Sequence, residues 1–163
     1  DEVRHLSARA QMLGQHFPGA MGADEFMFKV ETALAAYGFT QNNTIAMTNL
    51  CRDEVTKPLQ DKVEAVFGNS FTSIGLGGVL TLGATGMGAG MSHSPVDAAG
   101  RERYAFFSFP HIAIDASGGV GAISRPGRPG DSCACGALQK ALGNIQEAGA
   151  ANIPRCDHSH DET

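Results

Sequence analysis

The stretch "NTIAMTNLCRDE", Asn43 to Glu54, reads as a buried strand that breaks off on a cysteine, an arginine and two acids. Thr44 to Leu50 carries the strand signal, and Cys51 and Asp53 place a thiol and a carboxylate two residues apart where it ends. Strand ends are where α/β proteins build their sites, so this stretch bears on both fold and chemistry.

Working outward from it, helices alternate with strands. Val3, Leu6, Ala10 and Leu13 recur at helical spacing and predict a first helix that Pro18-Gly19 terminates. A second helix is expected after Gly22, with Asp24 and Glu25 in its first turn, Phe26, Val30, Leu34 and Tyr37 along one face, and Gly38 as its stop. Phe28 lies off that stripe, which suggests a second buried face, one that another subunit could cover. Thr56 and Pro58 open a further helix carrying Leu59, Val63, Val66 and Phe67, closed by Gly68.

Beyond it, residues 71–82 read as β-like but punctuated by glycine, and "GATGMGAGMSHSP" as a loop. "RYAFFSFPHIAID" is the strongest strand signal, with His111 just beyond Pro110, and "GGVGAISRPG" predicts a shorter strand ending at Arg125. A last helix is expected from Ser132 or Cys133, with Leu138, Leu142 and Ile145 toward the core, and residues 152–163 as a loose polar tail. The alternation predicts one α/β domain over residues 1–163, with helices flanking a mainly parallel central sheet.

The 163 residues carry a net charge of -5 with no basic run, which argues against nucleic acid or an anionic membrane as partner. No apolar stretch approaches the length of a membrane span. Asp1 to Ala10 is charged from its first residue, so no signal peptide is expected in it. Four cysteines, at 51, 133, 135 and 156, are sparse for a disulfide scaffold and favour metal or thiol chemistry in a reducing compartment.

Three soft-metal ligands fall at matching places. Cys51 follows one strand, His111 follows another, and Cys135 is expected in the first turn of a helix, where the dipole suits an anionic sulfur. In a parallel sheet these positions share one edge. Two thiolates and an imidazole with a fourth position open form a catalytic zinc arrangement. Taken singly, a buried cysteine such as Cys51 is more often a small core residue, and His111 beside Pro110 reads as packing.

"CRDE" after a strand, "SFPHIAID" and "CACGAL" together resemble the limiting-CO2-inducible B/C proteins, the theta-class carbonic anhydrases of algae. The likeness runs from the first helix to Leu142. It implies a fold and zinc site like those of beta-class carbonic anhydrases, with Cys51, His111 and Cys135 as zinc ligands and water or hydroxide as the fourth. Beta-class enzymes read Cys-x-Asp-x-Arg, the arginine holding the aspartate. Asp53 matches, but Val55 stands where that arginine would be, leaving Arg52, Arg101, Arg103 and Arg125 as alternatives.

The activity implied is reversible hydration of CO2 to bicarbonate, with Asp53 orienting the nucleophile and Arg52 as its first candidate partner. The Phe106, Phe107 and Phe109 strand and the glycine loop would contribute an apolar pocket for CO2. A homodimer and a chloroplast location are implied as well. The alternative is a catalytically silent zinc-binding assembly subunit of a CO2-concentrating system. A third reading makes Cys51 a nucleophile with His111 as its base. Cys133 reads as a bystander or a redox-sensitive thiol, and His93 as a surface residue or a proton shuttle. Cys156, His158 and His160 form a metal-capable tail with no preorganised geometry.

Overall fold

A computed structural model describes residues 2–75, 77–78, 83–149 and 151. The metal-capable tail at Cys156, His158 and His160 lies outside these residues, as do the side chains of Val3 and Leu6 and the expected strand positions 76 and 79–82. In chain order the first elements are α1 (Glu2–His16), α2 (Ala23–Ala35), β1 (Thr44–Cys51), a 3₁₀ turn (Glu54–Thr56), α3 (Lys57–Phe67) and β2 (Ser70–Gly75). Then come α4 (Ala84–Met91), β3 (Arg103–Phe109), β4 (Ala122–Ser124), β5 (Asp131–Cys133) and α5 (Gly136–Ala148). They divide between two compact units, one of residues 22–110 and one combining residues 2–21 with the described residues beyond 110.

The first unit is built on a parallel sheet in the order β2-β1-β3. All eight residues of β1 are buried, as expected of a central strand covered on both faces. Strand alternation divides its side chains. Ala46 joins Met27 of α2, Val63 and Phe67 of α3, and Ala105 and Phe107 of β3 in the core, with Phe26, Val30, Leu34 and Phe109 packed around it. Met47, on the opposite face, meets α4. The two crossovers run in opposite directions from β2 and β1, and α3 and α4 cover opposite faces, as one-handed crossovers require.

Pro58 in the first turn of α3 and Gly68 at its end, with φ 82, bound that helix where the sequence places it. Gly22 caps α2 as expected, but Tyr37 lies beyond its end and is 74% exposed. Phe28 is 68% exposed.

The segment expected to be a loop contains α4. Gly86, Gly88 and Gly90 each cost helix stability relative to alanine, roughly 1 kcal/mol apiece, so local propensity opposes it. Packing overrides propensity here. Gly90 is buried, and a Cβ on it would collide with Met47 Cε and stand 2.9 Å from Phe71 Cδ1. A side chain there would force Met47 and Phe71 to shift, so glycine lets the helix approach the sheet this closely.

The phenylalanines of β3 divide between the two faces of the sheet. Phe107 stacks on Phe109 and packs beside Phe67 in the core, whereas Phe106 points to the other face and is 55% exposed. Strand periodicity gives neighbouring phenylalanines opposite directions, and both Phe106 and Phe107 line an apolar cavity.

In the second unit β4 and β5 pair antiparallel, and an isolated bridge joins Ile114 to Val120. The final helix begins at Gly136, not at Ser132 or Cys133, because Asp131–Cys133 pairs with Ala122–Ser124 instead. Leu142 and Ile145 do not face a core: they are 57% and 39% exposed. Among the described residues no helix is long and apolar enough to cross a membrane.

Candidate metal centre

Cys51 is the last residue of the central strand, opposite Gly75 of β2. Its carbonyl accepts from Thr56 Oγ1 at 3.0 Å, and the Arg52 amide donates to Gly75 O at 3.0 Å, so the chain turns sharply as it leaves the sheet. Its sulfur is buried and accepts from the Gly77 amide at 3.3 Å. An amide aimed at sulfur stabilises negative charge there.

Asp53 follows, half-buried, as the N-cap of the 3₁₀ turn, with its Oδ1 accepting from the Val55 amide at 3.4 Å. That bond is long for an amide donor. Arg52 is exposed and its guanidinium makes no ion pair among the described residues. Arg101 instead pairs with Asp97 at 3.0 Å, while Arg103 donates to Tyr37 O and lies over the Phe39 ring. Two of the four candidate arginines are therefore engaged elsewhere. Arg125 directly follows β4 and is half-buried.

In the second unit a backbone lattice holds the segments that carry His111 and Cys135. The Ala113 amide donates to Ala134 O at 2.9 Å, the Ala134 amide to Gly121 O at 3.0 Å, and the Gly121 amide to Ala113 O at 2.7 Å. This ties the segment after His111 to the residue before Cys135. Gly121 takes φ 82 here, and Gln139 of α5 donates to its carbonyl at 3.1 Å. Asp115 closes the turn between the bridged residues by accepting from the Ser117 hydroxyl and the Gly119 amide, both at 2.7 Å, and these bonds hold its carboxyl below the usual range. Cys135 is buried and caps α5 from just outside the helix, so it lies before the first turn.

Cys51, His111 and Cys135 are residues that could hold a metal ion. The donors suit one. His111 Nε2 is buried with no hydrogen-bond partner among the described residues. Leaving such a group unmet costs roughly 1–3 kcal/mol. Two sulfurs and an imidazole nitrogen are the soft donor set of zinc sites that keep a position open.

Two cavities lie along the sheet of the first unit, and Cys51 lines one of them. One, of about 350 Å³, is lined by Cys51, Arg52, Asp53, Lys57, Gln60 and Ile74. The other, of about 330 Å³, is largely apolar and is lined by Met47, Asn49, Ser73, Met87, Phe106 and Ser108. Of the remaining candidates, Cys133 is an exposed free thiol, and His93 is exposed with its ring edge-on to Phe71 at 5.3 Å, a surface packing role. The sequence reading missed Gly77, whose amide meets the Cys51 sulfur. The glycine pair after a strand was the available signal, since such pairs mark close backbone approaches.

A parallel α/β sheet whose central strand ends on one thiol of a Cys2His group defines the class: a domain related to the beta carbonic anhydrases. Residues 20–163 match the family described as limiting CO2-inducible proteins B/C, beta carbonic anhydrases, and the chain belongs to that family. It is similar to the crystal structure of the limiting CO2-inducible protein LCIB, with 51% identity over 91% of this chain and 56% of that one, at a TM-score of 0.69. It is also similar to PtLCIB4, a homolog of LCIB, with 31% identity over 89% of this chain and 60% of that one, at a TM-score of 0.78. The chain thus spans 56% and 60% of the length of these two. No curated protein matches it significantly.

Proposed function

We propose that the chain is a zinc-dependent carbonic anhydrase, interconverting CO2 and water with bicarbonate and a proton. The observation that carries this reading is the Cys51, His111 and Cys135 group, whose buried imidazole nitrogen has no partner among the described residues, in a chain of carbonic-anhydrase-related family. These three residues would hold the metal. Zinc, when bound, brings the pKa of a coordinated water to about 7 and so supplies a nucleophile at neutral pH.

The chain's own residues do the rest. Asp53 accepts a hydrogen bond from the nucleophile and so directs its remaining lone pair at the carbon of CO2. A carboxylate can only accept, which fixes the sense of that bond. Phe106, Met47 and Met87 give CO2 an apolar recess on the face of the sheet that Cys51 shares. The cavity that Arg52 and Lys57 line together with Asp53 and Glu54 offers the charged product, bicarbonate, two cationic side chains. With Arg101 and Arg103 engaged elsewhere, Arg52 and Arg125 are the arginines to test as partners of Asp53.

A homodimer is part of the proposal, since Phe28 and Tyr37 expose apolar surface at and just beyond α2. The chloroplast location rests on family likeness alone and is tested by imaging a fluorescent fusion of the full-length gene product.

The deciding experiment measures zinc content and stopped-flow CO2 hydration on one sample. About one zinc per chain with turnover is expected. Alanine at Cys51, His111 or Cys135 should remove both. Stoichiometric zinc without turnover would favour the assembly subunit, and full activity in metal-free protein would end the zinc reading.

A further inference from the structure

Three polar side chains cross the parallel sheet in one row. Asn49 of β1 is paired with Ser73 of β2 and with Ser108 of β3, so the three stand abreast on one face. The row before it is Phe71, Met47 and Phe106, wholly apolar, and the next position on β1 is Cys51. Asn49 is 3% exposed and Ser73 is 8% exposed. A buried amide at the centre of such a sheet is costly unless each of its bonds is met.

The bonds lead to one place. Ser73 Oγ donates to Asn49 Oδ1 at 2.7 Å, and Asn49 Nδ2 donates to Gly78 O at 2.6 Å. Ser108 Oγ donates to the same carbonyl at 3.0 Å. Gly78 O therefore receives two donors, one from each of two adjacent strands, which matches its two lone pairs. The reversed amide would set Asn49 Oδ1 against Gly78 O, acceptor to acceptor, so the network defines its orientation. Gly77, one residue earlier in the same turn, gives its amide to the Cys51 sulfur.

Resting on the metal site of the proposed function, we infer that Asn49, Ser73 and Ser108 are positioning residues that clamp the Gly77–Gly78 turn so that the Gly77 amide supports the Cys51 sulfur as a metal ligand. None of the three belongs to the Cys51, His111 and Cys135 group. Their contribution passes through the backbone of the turn, and Gly78 is the one residue type that fits. At its φ of 70 a Cβ would collide with Phe109 O and stand 3.0 Å from Pro110 N. Partners of this kind commonly change metal affinity by about 10–100-fold when removed.

The test uses the full chain with Asn49→Ala and Ser108→Ala, each of which removes one donor from Gly78 O. Thr48→Val serves as the control, because Thr48 is equally buried and its hydroxyl meets Thr72 Oγ1 at 2.7 Å on the opposite face of the same strand. Zinc affinity is read by chelator competition, and protection of the Gly77 amide by hydrogen exchange in metal-free protein. Asn49→Ala should weaken zinc by about 10–100-fold and Ser108→Ala by less, both with faster Gly77 exchange. Thr48→Val should leave zinc affinity unchanged.

Folded Ser108→Ala and Asn49→Ala proteins that hold zinc as tightly as the parent, with unaltered Gly77 exchange, would overturn the inference. If Asn49→Ala does not fold, Ser108→Ala decides alone. If the parent itself binds no zinc, the proposed function falls, and unaltered Gly77 exchange in the variants would then separately refute the clamp.

Discussion

Replacing Gly78 by alanine probes the turn that carries the Cys51 contact, and the structure gives both the sign and the size of the effect. Gly78 sits at φ 70, a region that costs an L-residue roughly 1–2 kcal/mol. Its new Cβ would also stand 2.7 Å from the Phe109 carbonyl carbon, and the atoms in the way are backbone, which cannot rotate aside. Forcing a group into such a space costs roughly 1–3 kcal/mol more. The sum, about 2–5 kcal/mol, corresponds to a melting temperature lower by about 4–20 °C in a chain of this size.

The comparison is Gly88→Ala in α4, where a Cβ meets nothing within 4 Å and the backbone is helical. Alanine there should raise stability by about 0.5–1 kcal/mol, or about 1–4 °C. Both are measured by thermal unfolding with a chelator present, since bound metal would add its own stabilisation. The same one-carbon change thus has opposite signs at two glycines ten residues apart. A Gly78→Ala protein that melts within about 2 °C of the parent would refute the clash reasoning.

Asp53→Asn should keep zinc and lower CO2 hydration by on the order of a hundredfold; near-normal turnover in zinc-replete protein would leave Asp53 only its cap on the 3₁₀ turn, which asparagine serves equally well. Asp97 is held to a pKa of about 2 by the Arg101 and Ala99 amides, the Asn43 amide and the Arg101 guanidinium, against 3.8 ordinarily. A depressed carboxylate stabilises above the higher value and loses that contribution as pH falls through the lower one, so the gap in urea midpoint between parent and Asp97→Ala should be constant near neutrality and close between about pH 4 and pH 2. A gap that widened on acidification would contradict this. Phe67→Ala removes a ring that is 4% exposed and 5.9 Å from that of Phe107, and should cost about 3–5 kcal/mol in urea unfolding. The dimer proposal expects light scattering to return twice the chain mass at micromolar concentration, and a monomer mass would reject it.

What the sequence disclosed and what it withheld divide along one physical line. β1, α3 and β3 were legible because each is written locally: an apolar run, Pro58 and Gly68 at the ends of a helical stripe, Pro110 at the close of a strand. The Cys51, His111 and Cys135 group was legible because its residue types are chemically rare and fall where strands end, and resemblance to a family joined them. α4 was not, since its glycines argue for a loop until Met47 and Phe71 are known to lie beneath Gly90. Leu142 and Ile145 make an apolar stripe whether or not anything covers it, so amphipathicity alone could not say that they are exposed.

The Ser73, Asn49 and Ser108 row shows the limit most sharply. Nothing in any one strand marks it, because its meaning is a register. A slip of one residue in β1 would bring Thr48 or Leu50 into line with the two serines and turn Asn49 to the core face. A ligand can be recognised by its own chemistry, whereas its support exists only as a relation between strands. Variants of the row therefore test the pairing of the sheet and the metal site together, and the Thr48→Val control, on the opposite face, is what separates the two.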